Sequence, residues 1–110
     1  MTSYIAHEQI GYFCKDSRQF VYKRLAYQPS AQAGVIFDNN GIHLISYTTL
    51  VCTIDNEGYL SCTGTYSQTT RRHIGSFLKE YAPNLNYYNA KACYENSHKI
   101  HVQTGEIVAI

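Results

Sequence analysis

Tryptophan is absent from this sequence of 110 residues, and proline and methionine are scarce. Neither sign of charge is in excess. Nine basic residues are balanced by eight acidic ones, which leaves a net charge of +1. This balance excludes a strongly basic nucleic-acid coating protein and an acidic nucleic-acid mimic. No apolar run reaches the length of about 20 residues that a membrane-spanning helix needs, so no membrane partner is expected.

The N-terminus also lacks the basic segment followed by an apolar run that is typical of a secretory signal peptide. We therefore expect a cytoplasmic location, in which cysteine thiols stay reduced. The four cysteines, at positions 14, 52, 62 and 93, show no Cys-x-x-Cys spacing. The sequence consequently predicts no structural zinc site. The glycines stand singly, so neither a phosphate-binding loop nor a cofactor is expected.

Tyrosine is the abundant residue, with eleven copies. Its side chain offers a large, stiff contact area and a hydroxyl, which suits recognition surfaces. It is also common in strands, and this structural role accounts for most of the copies. A chain of this length is expected to form a single domain, residues 1–110, with one modest core.

One amphipathic helix is predicted over residues 68–81. Ser67 is a suitable N-cap, because its hydroxyl can accept from a free backbone N–H of the first turn. Apolar residues follow at the i, i+3, i+4, i+7 spacing of a buried stripe: Ile74, Phe77, Leu78 and Tyr81. Pro83 ends the helix near Ala82. Gly75 costs about 1 kcal/mol relative to Ala inside a helix, which suggests that another backbone or a partner approaches there.

Much of the remaining chain has the composition of strands joined by turns. The predicted strands are 20–27, 35–37, 42–54, 60–65, 98–102 and 106–110. Residues 38–41, with the sequence Asp-Asn-Asn-Gly, predict a hairpin turn. Residues 3–14 fit either a strand or a short helix, and residues 87–94 predict a second short helix.

These elements predict an α+β fold, in which an antiparallel sheet of four to six strands is packed on one face by the helix at 68–81. In the hairpin that turns at 55–59, Ile54 is expected to face Leu60, and Cys52 to face Cys62. Leu44 and Leu50 then lie on the same apolar face. The apolar segment 106–110 is expected either to pair within the sheet or to pair with another copy as a homodimer.

Two stretches resemble a pattern in short uncharacterised proteins encoded by phages and plasmids of Gram-positive bacteria. They are Ser46-Tyr-Thr-Thr-Leu-Val51 and Tyr66-Ser-Gln-Thr-Thr-Arg-Arg-His-Ile-Gly-Ser-Phe-Leu78. The pattern runs Ser-Tyr-x-Thr-x-Val, then a turn and a strand, then Tyr-Ser-x-Thr-Thr-x-Arg-His-Ile-x-x-Phe-Leu. The resemblance covers roughly a third of the chain.

The resemblance implies an origin in mobile elements, whose small proteins often act as host-takeover or anti-defence factors, anti-CRISPR proteins among them. Together with the lack of catalytic motifs and the many tyrosines, it leads us to expect a small interaction protein. Its partner would be a host defence factor, such as a CRISPR nuclease or its RNA-guided complex, in the cytoplasm of a bacterial host. The alternative function is binding of RNA or single-stranded DNA.

Both functions would use the same basic, Tyr-containing patch. Arginine beside aromatic side chains suits phosphate contact and base stacking. The expected contact residues are Arg71, Arg72, Lys79, Lys23, Arg24, Tyr22 and Tyr66. The patch forms only if the N-terminal third of the chain reaches the solvent face of the helix. The alternative interpretation is that these basic residues belong to ordinary solvated faces without a binding function.

Three residues leave alternatives open. His73, at the edge of the apolar stripe, is either a boundary histidine bonded locally or a ligand or catalytic group. Cys52 and Cys62 are either two small buried residues or a redox pair, which requires a particular cross-strand geometry. A small enzyme or nucleotide-binding protein centred on these residues is a third function, although no local signature marks a nucleophile.

Overall fold

The computed structural model describes residues 21–64 and 67–110, which form seven strands and two helices. The strands are β1 (Val21–Arg24), β2 (Ala33–Asp38), β3 (Gly41–Ser46), β4 (Thr49–Asp55), β5 (Tyr59–Cys62), β6 (His98–His101) and β7 (Ile107–Ala109). The helices α1 (Gln68–Tyr81) and α2 (Tyr87–Glu95) lie between β5 and β6 in the chain. The prediction for residues 3–14 falls outside the described residues.

The strands form one antiparallel sheet whose spatial order is the chain order, β1 to β7. The predicted α+β class is confirmed, and the sheet has seven strands where the sequence predicts four to six. The additional strand comes from a turn that divides the long segment predicted at 42–54.

Both helices lie on one face of the sheet. Buried residues of α1 and α2 share a core with residues of the strands, and α2 packs against β5 and β6. The predicted stripe is confirmed for Ile74, Phe77 and Leu78, which are buried, while Tyr81 is half-buried. Full burial of each such side chain stabilises the fold by about 1.5–3 kcal/mol before the entropy cost is counted.

The predicted boundaries of α1 are confirmed, and its cap is Ser67, whose Oγ accepts from the backbone N–H of Thr70 at 3.3 Å. The second helix, predicted at 87–94, extends one residue further. It begins with a capping box that the sequence analysis missed, in which Asn86 and Asn89 each accept from the other's backbone N–H. Asn replaces the usual Ser/Thr and Glu/Gln of this motif.

The hairpin register is confirmed at Ile54–Leu60 and Cys52–Cys62. The single strand predicted at 42–54 is wrong, because β3 and β4 are separated by a tight turn at residues 47–48. A register shift between Leu44 and Ile45 then leaves Val51 as an extra residue in β4. Val51 therefore joins the core, and Leu50, predicted on the apolar face, is only half-buried.

The turn at residues 47–48 has no glycine or Asn-Gly signal in its sequence, which is why it was missed. Tyr47 occupies the positive-φ position, with φ of 57°. Its backbone N–H donates to the carbonyl oxygen of Gln32 at 2.7 Å, which ties the turn to the loop before β2. Tertiary contacts, and not local propensity, hold this turn.

The C-terminal segment pairs with β6, so its predicted place in the sheet is confirmed. Neither helix of the described ranges, 21–64 and 67–110, is long and apolar enough to cross a membrane.

Candidate functional site

An open groove lies between α1 and the loop that follows β1. Its volume is about 480 Å³. The residues that line it are Tyr27, Gln28, Arg72, Gly75, Ser76 and Lys79. The helix contributes one side of the groove through residues spaced three or four apart, which share one face of an α-helix.

Two hydrogen bonds hold the loop against the helix. Ser76 Oγ donates to Gln28 Oε1 at 2.6 Å, and the backbone N–H of Ala26 donates to Glu80 Oε1 at 3.0 Å. Leu25, just before this loop, is fully buried and anchors it in the core. These contacts hold the two walls of the groove together, and a binding surface with fixed walls has a lower entropy cost of binding.

Gly75 forms the floor of the groove. A Cβ atom placed on Gly75 would meet no atom within 4 Å, so the space above this residue is open. The glycine is thus not required by helix packing. It leaves the helix backbone accessible at this position, and the expected approach of a partner there stays a prediction.

The charge in the groove is positive. Arg72 and Lys79 are exposed, and among the described residues neither has a carboxylate within salt-bridge distance. The ammonium of Lys79 lies 4.4 Å from the centre of the Tyr27 ring, a cation–π contact. The groove therefore combines two cations with an aromatic wall.

The structure separates the other predicted contact residues from this groove. Arg71 projects toward α2, with its guanidinium 5.6 Å from the ring centre of Tyr87. Lys23 lies over the ring of Phe37 at 5.7 Å. The ring of Tyr22 covers Gly34 on the neighbouring strand, and Arg24 is the strand partner of that glycine. Tyr66 lies outside the described residues.

Of the predicted patch residues that the structure describes, Arg72 and Lys79 line the groove. Three further residues of the groove, Tyr27, Gln28 and Ser76, are not among the site residues predicted from the sequence. The one sequence feature that points to the groove is Gly75, a poor helix former in the middle of a helix.

His73, the other predicted site residue, does not line the groove and is buried, with 2% of its surface exposed. Its Nδ1 lies 2.8 Å from Ser46 Oγ, and this hydroxyl lies 3.0 Å from Thr70 Oγ1. Ser46 and Thr70 are buried as well, with 2% and 5% exposed. A hydroxyl next to an imidazole resembles a nucleophile with its base. Burial withholds this pair from a substrate, and its contacts join β3 to α1.

The two stretches that carry the sequence resemblance meet at this cluster, because Ser46 belongs to the first and Thr70 and His73 to the second. Tyr47 completes the junction, since its ring centre lies 5.8 Å from that of His73. The spacing of these residues thus has a structural explanation: it builds the contact between the β3–β4 hairpin and α1.

Cys52 and Cys62 lie directly opposite each other on β4 and β5, with 3.0 Å between their sulfur atoms. Both are free thiols. The hydrogen bond with Cys62 and burial raise the pKa of Cys52 well above its ordinary value. Burial raises the pKa of the nearby Cys93 to about 11. A raised pKa keeps the thiols of Cys52 and Cys93 in the protonated form, which is the weaker nucleophile.

A chain of hydrogen bonds on β2, β3 and β4 was not predicted from the sequence. Asp38 Oδ1 lies 2.8 Å from His43 Nε2, and His43 Nδ1 lies 2.9 Å from Thr53 Oγ1. These contacts cross-link three adjacent strands. Within the described residues, no group of three or more His, Cys, Asp or Glu side chains could hold a metal ion.

The chain belongs to a family of unknown function (DUF8033), whose model matches residues 15–91. The matched range includes every residue of the groove and of the Ser46–Thr70–His73 cluster. No curated protein and no solved structure matches the chain. The family description states no activity, so the function has to be inferred from the geometry.

The first prediction concerns His73. Burial lowers its pKa from the ordinary value of about 6.5. Because the unfolded chain then binds the proton more readily, the stability that neutral His73 contributes is fully present above about pH 6.5 and is lost as pH falls through the lower, folded-state pKa. We expect a smaller loss of stability between pH 7 and pH 5 for His73→Gln than for the wild type, measured by urea denaturation. His98→Gln is the control, and an unchanged slope for His73→Gln would contradict the assignment.

The second prediction concerns Gly75. Because a Cβ at this position meets open space, Gly75→Ala should raise the free energy of unfolding by about 1 kcal/mol, the helix-propensity difference. Gly41→Ala is the matched control. Gly41 has φ of 133° and its Cβ would clash with the Ile54 carbonyl oxygen, so this variant should lose stability. A loss of stability for Gly75→Ala would show that the groove floor is a packing requirement.

Proposed function

We propose that this protein is a small interaction protein without catalytic activity, and that its α1 groove binds a protein partner. The observation that carries the proposal is the groove itself: it is open above Gly75, has fixed walls and carries two cations that are not paired with carboxylates of the described chain. An open groove with unneutralised charge suits recognition more than chemistry, which would need an accessible nucleophile or acid–base pair.

The proposed partner is a host defence factor, such as a CRISPR nuclease complex, in the cytoplasm of a bacterium. This part rests on the resemblance to proteins of phages and plasmids. The groove adds a chemical condition, since a partner that fits it must present negative charge to Arg72 and Lys79.

A second candidate function is binding of RNA or single-stranded DNA. The observation that favours it is Tyr27, which is 53% exposed in a groove that is also lined by Arg72. An aromatic ring next to a cation is the usual element of single-strand binding surfaces. Affinity for a nucleic acid would fall steeply with salt concentration, whereas affinity for a protein partner would depend on salt more weakly.

The test is capture of partners from a host-type lysate, with and without nuclease, by the wild type and by Arg72→Ala/Lys79→Ala. We expect a discrete protein complex that survives nuclease, and capture reduced about tenfold or more by the double variant, because two charge contacts at about 1 kcal/mol each are lost. Lys91→Ala is the control, since Lys91 lies on α2 and pairs with Glu95 at 3.9 Å.

Two outcomes would contradict the proposal. Undiminished capture by the double variant would show that the groove is not the binding surface. Recovery of RNA or DNA alone, abolished by nuclease, would favour the second candidate function.

We also propose that β7 mediates a homodimer. Within the described sheet β7 has a neighbour on one side only, and Ile107 and Ile110 are 57% and 75% exposed. His101 N–H donates to the Glu106 carbonyl and Ile110 N–H to the Ser97 carbonyl. By the alternation of an antiparallel ladder, the peptide groups of Ile107 and Ala109 point away from β6. This open, apolar edge has none of the charges that usually block edge pairing.

Light scattering coupled to size exclusion tests this pairing. The wild type should be a dimer, and Ile107→Lys should be a folded monomer, because the charge blocks the edge. Tyr88→Lys is the control, since Tyr88 is 74% exposed on α2 and should leave the dimer intact. A wild type that stays monomeric up to high concentration would refute the dimer.

A further inference from the structure

We infer that the groove takes an extended, acidic peptide segment whose two carboxylates are three residues apart. This inference rests on the proposed function and names the chemistry of the ligand at the same site. It follows from three features: the spacing of Arg72 and Lys79, the open space above Gly75, and the position of the Lys79 ammonium over the Tyr27 ring.

The spacing of the two cations sets the spacing of the ligand charges. Arg72 and Lys79 are two helical turns apart on the same face, which corresponds to a rise of about 10.5 Å along the helix axis at 1.5 Å per residue. A peptide in the extended polyproline II conformation advances by about 3.1 Å per residue with three residues per turn, so the side chains of residues i and i+3 lie on the same side, about 9 Å apart. A segment of the form Glu-x-x-Glu or Asp-x-x-Asp that lies along α1 can thus reach both cations.

The floor between the cations suits a peptide backbone. Gly75, midway between Arg72 and Lys79, has no side chain to hold a ligand away from the helix. Gln28 stands on the opposite wall, and its Oε1 accepts from Ser76. The side-chain amide nitrogen of Gln28 forms no hydrogen bond within the described ranges, and it can donate to a carbonyl of the bound segment.

The same contacts disfavour a nucleic acid. Lys79 lies over the Tyr27 ring at 4.4 Å, so one face of the aromatic wall is covered and cannot stack a base without displacing the ammonium. Only two cations line the groove, and the whole chain carries a net charge of +1. A strand of phosphates needs a longer basic track than this.

The experiment is a titration of ¹⁵N-labelled protein, followed by the backbone amide signals, with three synthetic peptides that are capped at both ends. Their central sequences are Glu-Ala-Ala-Glu, Glu-Glu-Ala-Ala and Gln-Ala-Ala-Gln. We expect saturable shifts at Gln28, Gly75 and Ser76 with the first peptide. Affinity should be about fivefold lower for the second, which loses one charge contact of about 1 kcal/mol, and lower still for the third.

Arg72→Ala and Lys79→Ala should each reduce the affinity for the first peptide to that of the second. The amide spectrum also shows whether each variant is folded. Equal binding of the first two peptides would overturn the spacing, and shifts outside the groove would overturn the site. Stronger binding of a thymidine 12-mer than of any peptide would overturn the ligand class.

The result also separates this inference from the function on which it rests. If no peptide binds while partner capture still depends on Arg72 and Lys79, the groove binds a protein surface of another kind and the inference is wrong. If capture is also insensitive to these residues, the proposed function fails with it.

Discussion

The buried contact between Ser46 and His73 is the constraint on which the site depends. Hydrophobic contact is not directional, so an apolar stripe specifies the rotation of a helix on a sheet less sharply than a hydrogen bond does. A hydrogen bond between buried groups is directional, and leaving a partner unsatisfied costs about 1–3 kcal/mol. The pairing of β3 with α1 at 2.8 Å therefore sets the rotation of the helix. That rotation turns Arg72, Gly75 and Lys79 outward.

The groove follows from this orientation together with the loop after β1. Ser76 and Glu80 of the helix are hydrogen-bonded to Gln28 and Ala26 of that loop. These bonds join the loop wall of the groove to the helix. The two cations are then left at fixed positions on either side of an open floor. Binding of an acidic segment would neutralise them without any rearrangement of the protein, which makes recognition the activity best suited to this surface.

The sequence predicts the parts of this fold that depend on local pattern. The helix at 68–81 was predicted from its spacing and cap, and the Cys52–Cys62 register from alternation. The turn at Tyr47 could not be predicted, since a positive φ at tyrosine is held by a bond to Gln32. The groove was missed for a similar reason: Gln28 and Ser76 are 48 residues apart. The resemblance marked Ser46 and His73, which prove to specify the fold beneath the site.

Partner capture by Gly75→Gln tests the central claim most directly. Glutamine is a good helix former, so the variant should be at least as stable as the wild type, and its side chain would fill the floor of the groove without removing any charge or contact. If the groove is the binding site, a fully folded Gly75→Gln protein should lose its partner. A variant that is folded and captures the partner as well as the wild type does would contradict this assignment of the binding surface.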